Sequence, residues 1–384
     1  LLTSVHSAFT CSDEALHLRS LRSEVRVDVA CEGTNSWRGI AVIRTPLRRA
    51  AAPAAIALSL ALVAAACSDD DDGGNGGNGN GEPVTGSVNV SGSSTVEPIS
   101  SLVAEEFVGE NPDVDIAVDG PGTGDGFELF CDGQTDISDA SRPIEAEEER
   151  ACQQGGVEYV ELEVGFDGMT VMTNPNNGDV ECLSLADLYA LIGPESEGFD
   201  NWSDAQPLAS ELGSSTEFPD AELALTGPGT ESGTYDSFVE LAITPIAEEQ
   251  GLPENQLETT RPDYESSADD NVIIQNIEAS DTSLGWVGFA FAENAGDSIK
   301  EIQVSADPGG SCVEPSADTI ASGDYPLSRS LYIYVNTMKA EQNAAVSAYV
   351  DFYLENLSEW VEATGYVPLP EEQASETMSA WESR

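Results

Sequence analysis

The chain has 384 residues, enough for two ordinary domains, and 40% of them are hydrophobic, which allows sizeable cores. Acidic residues number 70 against 14 Lys and Arg, a net charge of −56, which excludes nucleic-acid binding through a basic face. Both histidines, His6 and His17, stand near the start, so the rest of the chain offers no Ser–His–Asp or Cys–His catalysis and no histidine metal ligand. Such acidity fits a heavily solvated surface, as in saline surroundings.

Residues 1–41 have no helical or strand period. We read them as translated upstream sequence, with initiation near Val42. The stretch 44–67, RTPLRRAAAPAAIALSLALVAAAC, has the layout of a secretory leader. Arg44, Arg48 and Arg49 form its positive end, and Ile56 to Val63 form an apolar run too short for a comfortable membrane span. A leader over 42–66 puts Cys67 directly after small residues, resembling the lipobox of bacterial lipoproteins, with Ala64 where Leu is preferred. Cys67 is therefore expected to be lipidated and to become the mature N-terminus. Residues 67–86 follow as a Gly-, Asn- and Asp-rich tether without a core. The Asp69–Asp72 run lacks the alternating spacing of a calcium loop.

The folded part is expected from about Ser87. Val88–Val90 reads as a strand, and Ile99, Leu102, Val103 and Phe107 recur at helical spacing. Between them SGSSTVEP makes a small-polar turn at a helix start. Val114–Val118 alternates as a strand and leads through DGPGTGDGFELF into a second Gly-rich helix start. Leu223–Leu225 leads through TGPGTESGTYDSF into a third, in a helix carrying Phe238, Val239 and Ile243. Helix starts expose unsatisfied N–H groups and a partial positive charge, so three together form an anion site without a lysine. Charge-assisted hydrogen bonds contribute about 1.5–3 kcal/mol each, and micromolar binding needs only about 8 kcal/mol. Neither Gly120-x-Gly122 nor GPGTESGT completes a nucleotide motif; the first has its third glycine too soon and the second has no Lys.

These loops occur in order with further segments: GSSTVEP (92–98), GTGDGFELFCDGQTDISDASRPI (122–144), WSD (202–204), GPGTESGTYDSF (227–238), SADDNVIIQNI (267–277), LGWVGFAF (284–291) and PLSRSLYIYV (326–335). Over about residues 87–340 the chain resembles the phosphate-binding proteins of phosphate ABC importers, the PstS family, in its SRP-motif branch. The resemblance implies an α/β fold of the two-lobed periplasmic-binding-protein type (type II), with dehydrated phosphate held between the lobes. Carried over position by position, it implies phosphate contacts from Ser94 and Thr95, Thr123, Ser141 and Arg142, and Ser232, Gly233 and Thr234. Some family members place an Arg at the position of Pro228 and an Asp at that of Ser141. Arg142 is then expected to be the sole cation of the site, its planar fork matching two phosphate oxygens. A carboxylate that accepts the proton of hydrogen phosphate would reject sulfate; the candidates are Asp269 and Asp270, which we favour, and Asp139.

Beyond Cys67 there are four cysteines, an even count that points to two disulfides in an exported protein. Three pairings are possible; we choose Cys131–Cys152, closing a loop around DASRP, and Cys182–Cys312, within the other lobe. GMTVMTN (168–174) and SRSLYIYVN (328–336) are taken as the crossing strands. Lobe I is then 87–171 with 326–384, and lobe II is 172–325. A late helix with Val346, Tyr349, Val350, Tyr353 and Leu357 is expected to pack on lobe I.

The leading reading is an extracytoplasmic, membrane-anchored monomer, not an enzyme, that needs no cofactor and hands inorganic phosphate to permease subunits. The alternatives are a binding protein for sulfate, molybdate or tungstate, an extracellular phosphate-ester hydrolase, and a phosphate sensor or scavenger without transport.

Overall fold

In the computed structural model the described residues are 83–384 and one short ribbon, β1 (Arg19–Ser20) paired antiparallel with β2 (Ser23–Glu24). The leader, Cys67 and most of the tether lie outside the described residues, as does nearly all of the 1–41 extension.

From Gly86 onward the strands are β3 (Gly86–Gly92), β4 (Val114–Asp119), β5 (Ile137–Ala140), β6 (Tyr159–Thr173), β7 (Cys182–Ser184), β8 (Ala224–Gly227), β9 (Glu265–Ser266), β10 (Ser283–Gly288), β11 (Lys300–Glu301), β12 (Gln303–Ser305) and β13 (Ser328–Asn336). Between them run α1 (Glu97–Glu110), α2 (Thr123–Cys131), α3 (Ala146–Gly155), α4 (Leu185–Ile192), α5 (Gln206–Glu211), α6 (Gly233–Phe238), α7 (Thr244–Gln250), α8 (Asp270–Ala279) and α9 (Phe289–Ala295). One sheet follows the order β4-β3-β5-β13-β6-β10-β8-β9, with β11 on the side of β6. It serves both lobes because β6 is 15 residues long and changes partner along its length. Tyr159 to Gly168 pair with β13, whereas Met169 to Met172 pair with β10. β6 therefore changes its sheet partner between Gly168 and Met169, and β13 returns beside the same point.

Each half follows from its pattern. In lobe I, Val88 and Val90 of β3 and Ile99, Val103 and Phe107 of α1 are buried together. Full burial of such a side chain stabilises by roughly 1.5–3 kcal/mol. The late aromatic stripe completes this core. Tyr349 sits edge-on to Phe107, with ring centroids 5.9 Å apart, and donates its hydroxyl to the Ser100 carbonyl at 2.8 Å. The late helix expected through Val346, Tyr349, Val350, Tyr353 and Leu357 is interrupted at Asn356, leaving helices Ala344–Glu355 and Leu357–Ala363. In lobe II, Trp286 of β10 stacks on Phe238 at 4.6 Å, and Trp202 donates its indole N–H to the Thr282 carbonyl at 2.9 Å.

Cys131 is bonded to Cys152, tying α2 to α3 within lobe I, and Cys182 to Cys312 within lobe II. Among the described residues no helix is long and apolar enough to cross a membrane.

Candidate anion-binding cleft

Three loops meet where the lobes face each other, and glycines allow the approach. The first loop leaves β3 at Gly92, whose φ is +153°. A Cβ there would lie 2.0 Å from the Asp139 carbonyl oxygen, so only Gly lets β3 pass β5 so closely. Ser93 N–H donates to that same carbonyl at 2.9 Å. The second loop is locked to the first: Gly122 N–H donates to Gly92 O at 2.8 Å, and Gly126 of α2 leaves no room for a Cβ against Gly92. Thr123 then opens α2, and its hydroxyl accepts from Ser141 N–H at 3.2 Å and lies 3.0 Å from Ser141 Oγ. The third loop belongs to lobe II. Gly233 packs against the Ser94 and Thr95 backbone, where an added Cβ would sit 3.2 Å from Ser94 O.

A cleft of about 510 Å³ opens among Ser94, Thr123, Ser141, Arg142, Tyr235 and Asp236, with Glu240 and Glu258 at its side. Ser94 donates to Asp236 Oδ2 at 2.7 Å, directly across the lobes. Gly233 lines an adjoining cavity that shares Ser94 and Asp236. Thr95 is sealed behind Ser94, its hydroxyl turned away from the cleft. Ser232 caps α6, its side chain accepting from Thr234 N–H at 3.2 Å, and neither residue lines the cleft.

Arg142 reaches the cleft with its fork engaged. Nη1 and Nη2 donate to the two oxygens of Glu148 at 2.8 and 2.7 Å, and the guanidinium lies 5.7 Å over the Phe127 ring. Glu148 raises the Arg142 pKa further, and it is itself anchored by accepting from Glu145 N–H at 2.8 Å in the capping box of α3. Arg142 is not the sole cation at the interlobe junction. Arg329, expected only as part of a crossing strand, enters from β13 just behind Thr95. Its Nη2 donates to Thr95 Oγ1 at 2.8 Å and to Ser237 Oγ at 2.6 Å, and its Nη1 pairs with Glu240. The position of Pro228 is occupied structurally: its carbonyl accepts the Tyr264 hydroxyl at 2.5 Å.

The carboxylates also sort differently from expectation. Asp269 caps α8 by accepting from Asn271 N–H at 3.0 Å, and Asp270 is the first residue of that helix. Neither lines the cleft. Burial and the adjacent Asp269 push the Asp270 pKa up to about 6. Asp139 is fully buried beneath the first loop, holds the Ser100 hydroxyl at 3.0 Å, and is pushed by burial up to about 7. Of the carboxylates that line the cleft, Asp125, Asp236, Glu240 and Glu258, Asp236 is the one that Ser94 binds across the lobes. Burial raises its pKa, while the Ser94 hydrogen bond and Arg329 pull the other way. Its signal was present as the Asp two places after Thr234, but helix periodicity gave no reason to aim it across the lobes.

Among the described residues no group of three or more His, Cys, Asp or Glu is placed to hold a metal.

A family model described as a PBP superfamily domain matches residues 78–356. Protein SphX from Synechocystis sp. is 40% identical over 288 residues, covering 74% of this chain and 79% of its own length. Phosphate-binding protein PstS from Staphylococcus saprophyticus is 33% identical over 294 residues, covering 77% of this chain and 84% of its own. The chain belongs to the PstS family of the PBP superfamily. A solved structure of "a possible phosphate binding protein" from Planctomyces limnophilus matches with TM-score 0.69 at 35% identity, covering 78% of this chain and 99% of that one. An ABC-type phosphate transport receptor from Vibrio cholerae, at TM-score 0.52 and 23% identity over 74% of this chain and all of that one, shares the fold. Within this PstS-family chain the two lobes, the shared strands β6 and β13 and the cleft between them are the architecture expected of the two-lobed type.

Proposed function

We propose that the protein binds inorganic phosphate in the interlobe cleft and delivers it to the permease of an ABC importer. The observation that carries this reading is the convergence of Ser94, Thr123, Ser141 and Arg142 from lobe I with Asp236 from lobe II on one cleft. Hydroxyls, helix-start N–H groups and a planar guanidinium supply donors for a tetrahedral dianion. Asp236 supplies the acceptor for the proton of hydrogen phosphate, which sulfate lacks near neutral pH. From the other lobe Gly233 approaches through the adjoining cavity that it shares with Ser94 and Asp236, while Thr95, Ser232 and Thr234 support the lining from behind. The name of the Staphylococcus relative supports the same ligand.

The lobes, 87–171 with 326–384 and 172–325, close by bending where β6 and β13 cross. The protein works as a monomeric binding module and not as an enzyme. It is exported by the 42–66 leader and held at the outer face of the membrane by lipid on Cys67. Replacing Cys67 with Ser should release the expressed protein from membranes; undiminished membrane retention would remove the anchor.

The deciding measurement is calorimetric titration of the full chain with phosphate, sulfate, molybdate and tungstate, beside an assay on a chromogenic phosphate ester. Phosphate should give saturable heat at concentrations where the other anions give none, and the ester should stay intact. Absence of phosphate heat would overturn the reading. A stronger response to another oxyanion would reassign the ligand.

A further inference from the structure

Arg329 and Asp167 are register partners on the two strands that run between the lobes. They stand one residue from the point where β6 changes partner, since Gly168 faces Ser328 and Met169 already pairs with β10. Both side chains are buried, the guanidinium 9% and the carboxylate 3% exposed, with Nε 3.5 Å from Asp167 Oδ2. The acceptors of this guanidinium come from both lobes. Thr95 belongs to lobe I, and Ser237 and Glu240 belong to lobe II.

The proton inventory fixes the direction of the network. Ser237 has one hydroxyl proton, and it goes to Asp167 Oδ2 at 2.5 Å. Its oxygen is therefore left to accept, which it does from Arg329 and within 3.2 Å of Thr95 Oγ1. Thr95 directly follows Ser94, and Ser237 directly follows Asp236. The same two short segments thus carry the cross-cleft Ser94–Asp236 bond and the groups that Arg329 holds. Separating the lobes takes Thr95 or Ser237 away from the guanidinium, leaving a buried donor unpaired, which low-dielectric surroundings penalise.

We propose that Arg329, seated on Asp167, is a positioning residue that couples lobe closure to the anion site, joining Thr95 of one lobe to Ser237 and Glu240 of the other. The identity of the anion rests on the phosphate reading above; the coupling geometry does not. Arg329 is absent from the residues lining the cleft, so it acts through its neighbours and not on the anion. Only a planar fork with several fixed donors serves two hydroxyls and a carboxylate at once, so lysine is a partial substitute. Removing it changes how long the lobes stay together, which is a dissociation rate.

The test uses the full chain and the variants Arg329→Gln, Arg329→Lys and Glu240→Gln, with two measurements. Small-angle scattering without phosphate reads lobe separation directly. Stopped-flow titration with inorganic phosphate reads rates. Arg329→Gln should show a larger radius of gyration than the parent. Its phosphate dissociation should be about tenfold faster or more, about 1.4 kcal/mol, with the association rate unchanged. Arg329→Lys should recover part of both effects, and Glu240→Gln should move in the same direction by less. A folded Arg329→Gln with the parent's dimensions and dissociation rate overturns the proposal. If Arg329→Gln does not fold, parent-like scattering and dissociation of Glu240→Gln overturn it instead. If the parent takes no phosphate, the phosphate reading falls while the scattering comparison still decides the coupling.

Discussion

The lip of the cleft and the hinge behind it each hold one arginine, and the two are fixed by different means. Arg142, at the lip, is about a third exposed and pairs with Glu148, six residues away on the next helix. Arg329, at the hinge, is sealed among Thr95, Asp167, Ser237 and Glu240, which only the folded chain brings together. An exposed pair contributes about 0–1 kcal/mol and exchanges partners readily. A buried network penalises any partner lost. In the proposed roles, the lip arginine trades Glu148 for an arriving anion, whereas the hinge arginine keeps its partners and transmits position. If those roles hold, two residues of one chemistry divide binding from geometry according to their burial.

The largest expected effect tests whether burial sets these properties, at Asp139 under the first loop. Its folded pKa, about 7, lies above the unfolded value, near 3.8. Between those values the folded chain binds more protons at this site than the unfolded chain, so the site's contribution to stability falls as pH rises from about 4 to 7 and is flat above. The slope is about 1.4 kcal/mol per pH unit, about 4 kcal/mol in all. Asp139→Asn keeps an acceptor for Ser100 and removes this titration. Urea unfolding at pH 5 and pH 8 should show the variant gaining stability relative to the parent as pH rises. A parallel pH dependence in the two proteins would mean that Asp139 is ionised in the fold throughout.

Next comes the covalent support of the lip. The Cys131–Cys152 bond encloses both Arg142 and Glu148, with a sequence separation of 21. Removing it with Cys131→Ala/Cys152→Ala should lower stability by about 3 kcal/mol in the chain-entropy view and weaken phosphate binding. The Arg329 network, in strands outside that loop, should hold, so phosphate-free scattering should match the parent. An expanded particle would show that lip and hinge are not separable. Arg142→Ala follows in size. Loss of a charge-assisted contact costs about 1.5–3 kcal/mol, so phosphate affinity should fall roughly 10- to 150-fold in calorimetry. Unchanged affinity would leave Arg142 as a structural partner of Glu148 and move the site's cationic role elsewhere.

The lip was legible in the sequence because its signals are local. Gly92 and Gly122 punctuate strand-to-helix turns, and Ser94 and Thr123 stand in those turns, whereas Ser141 and Arg142 follow from the family resemblance of DASRP. The alternation of β4 and the helical spacing of α1 are likewise read from neighbours a few residues apart. The hinge was not legible in the same way. Reading 328–336 as a crossing strand assigns it no partner. Opposing Arg329 to Asp167 needs the register of two strands more than 150 residues apart. The Asp269–Asp270 pair misled for a related reason: a carboxylate before a helix looks the same whether it caps the helix or awaits a proton. Asn356 shows a third limit, since an apolar stripe continues across a helix break when both helices cover one core.

The smallest expected effect bears most directly on the exchange at the lip. Glu148 occupies the fork of Arg142 and also accepts from Glu145 N–H in the capping box. Glutamine serves the second role equally well, so Glu148→Gln removes charge while α3 keeps its cap. If the anion competes with Glu148 for the fork, the neutral variant should bind phosphate more tightly. The gain is bounded by the worth of a partly exposed pair, about 0–1 kcal/mol, or at most roughly fivefold. It should also shrink in high salt, because screening weakens the competing pair in the parent. Weaker binding in Glu148→Gln would reverse the assignment: Glu148 would then aim Arg142 at the anion, and the lip would be as preorganised as the hinge.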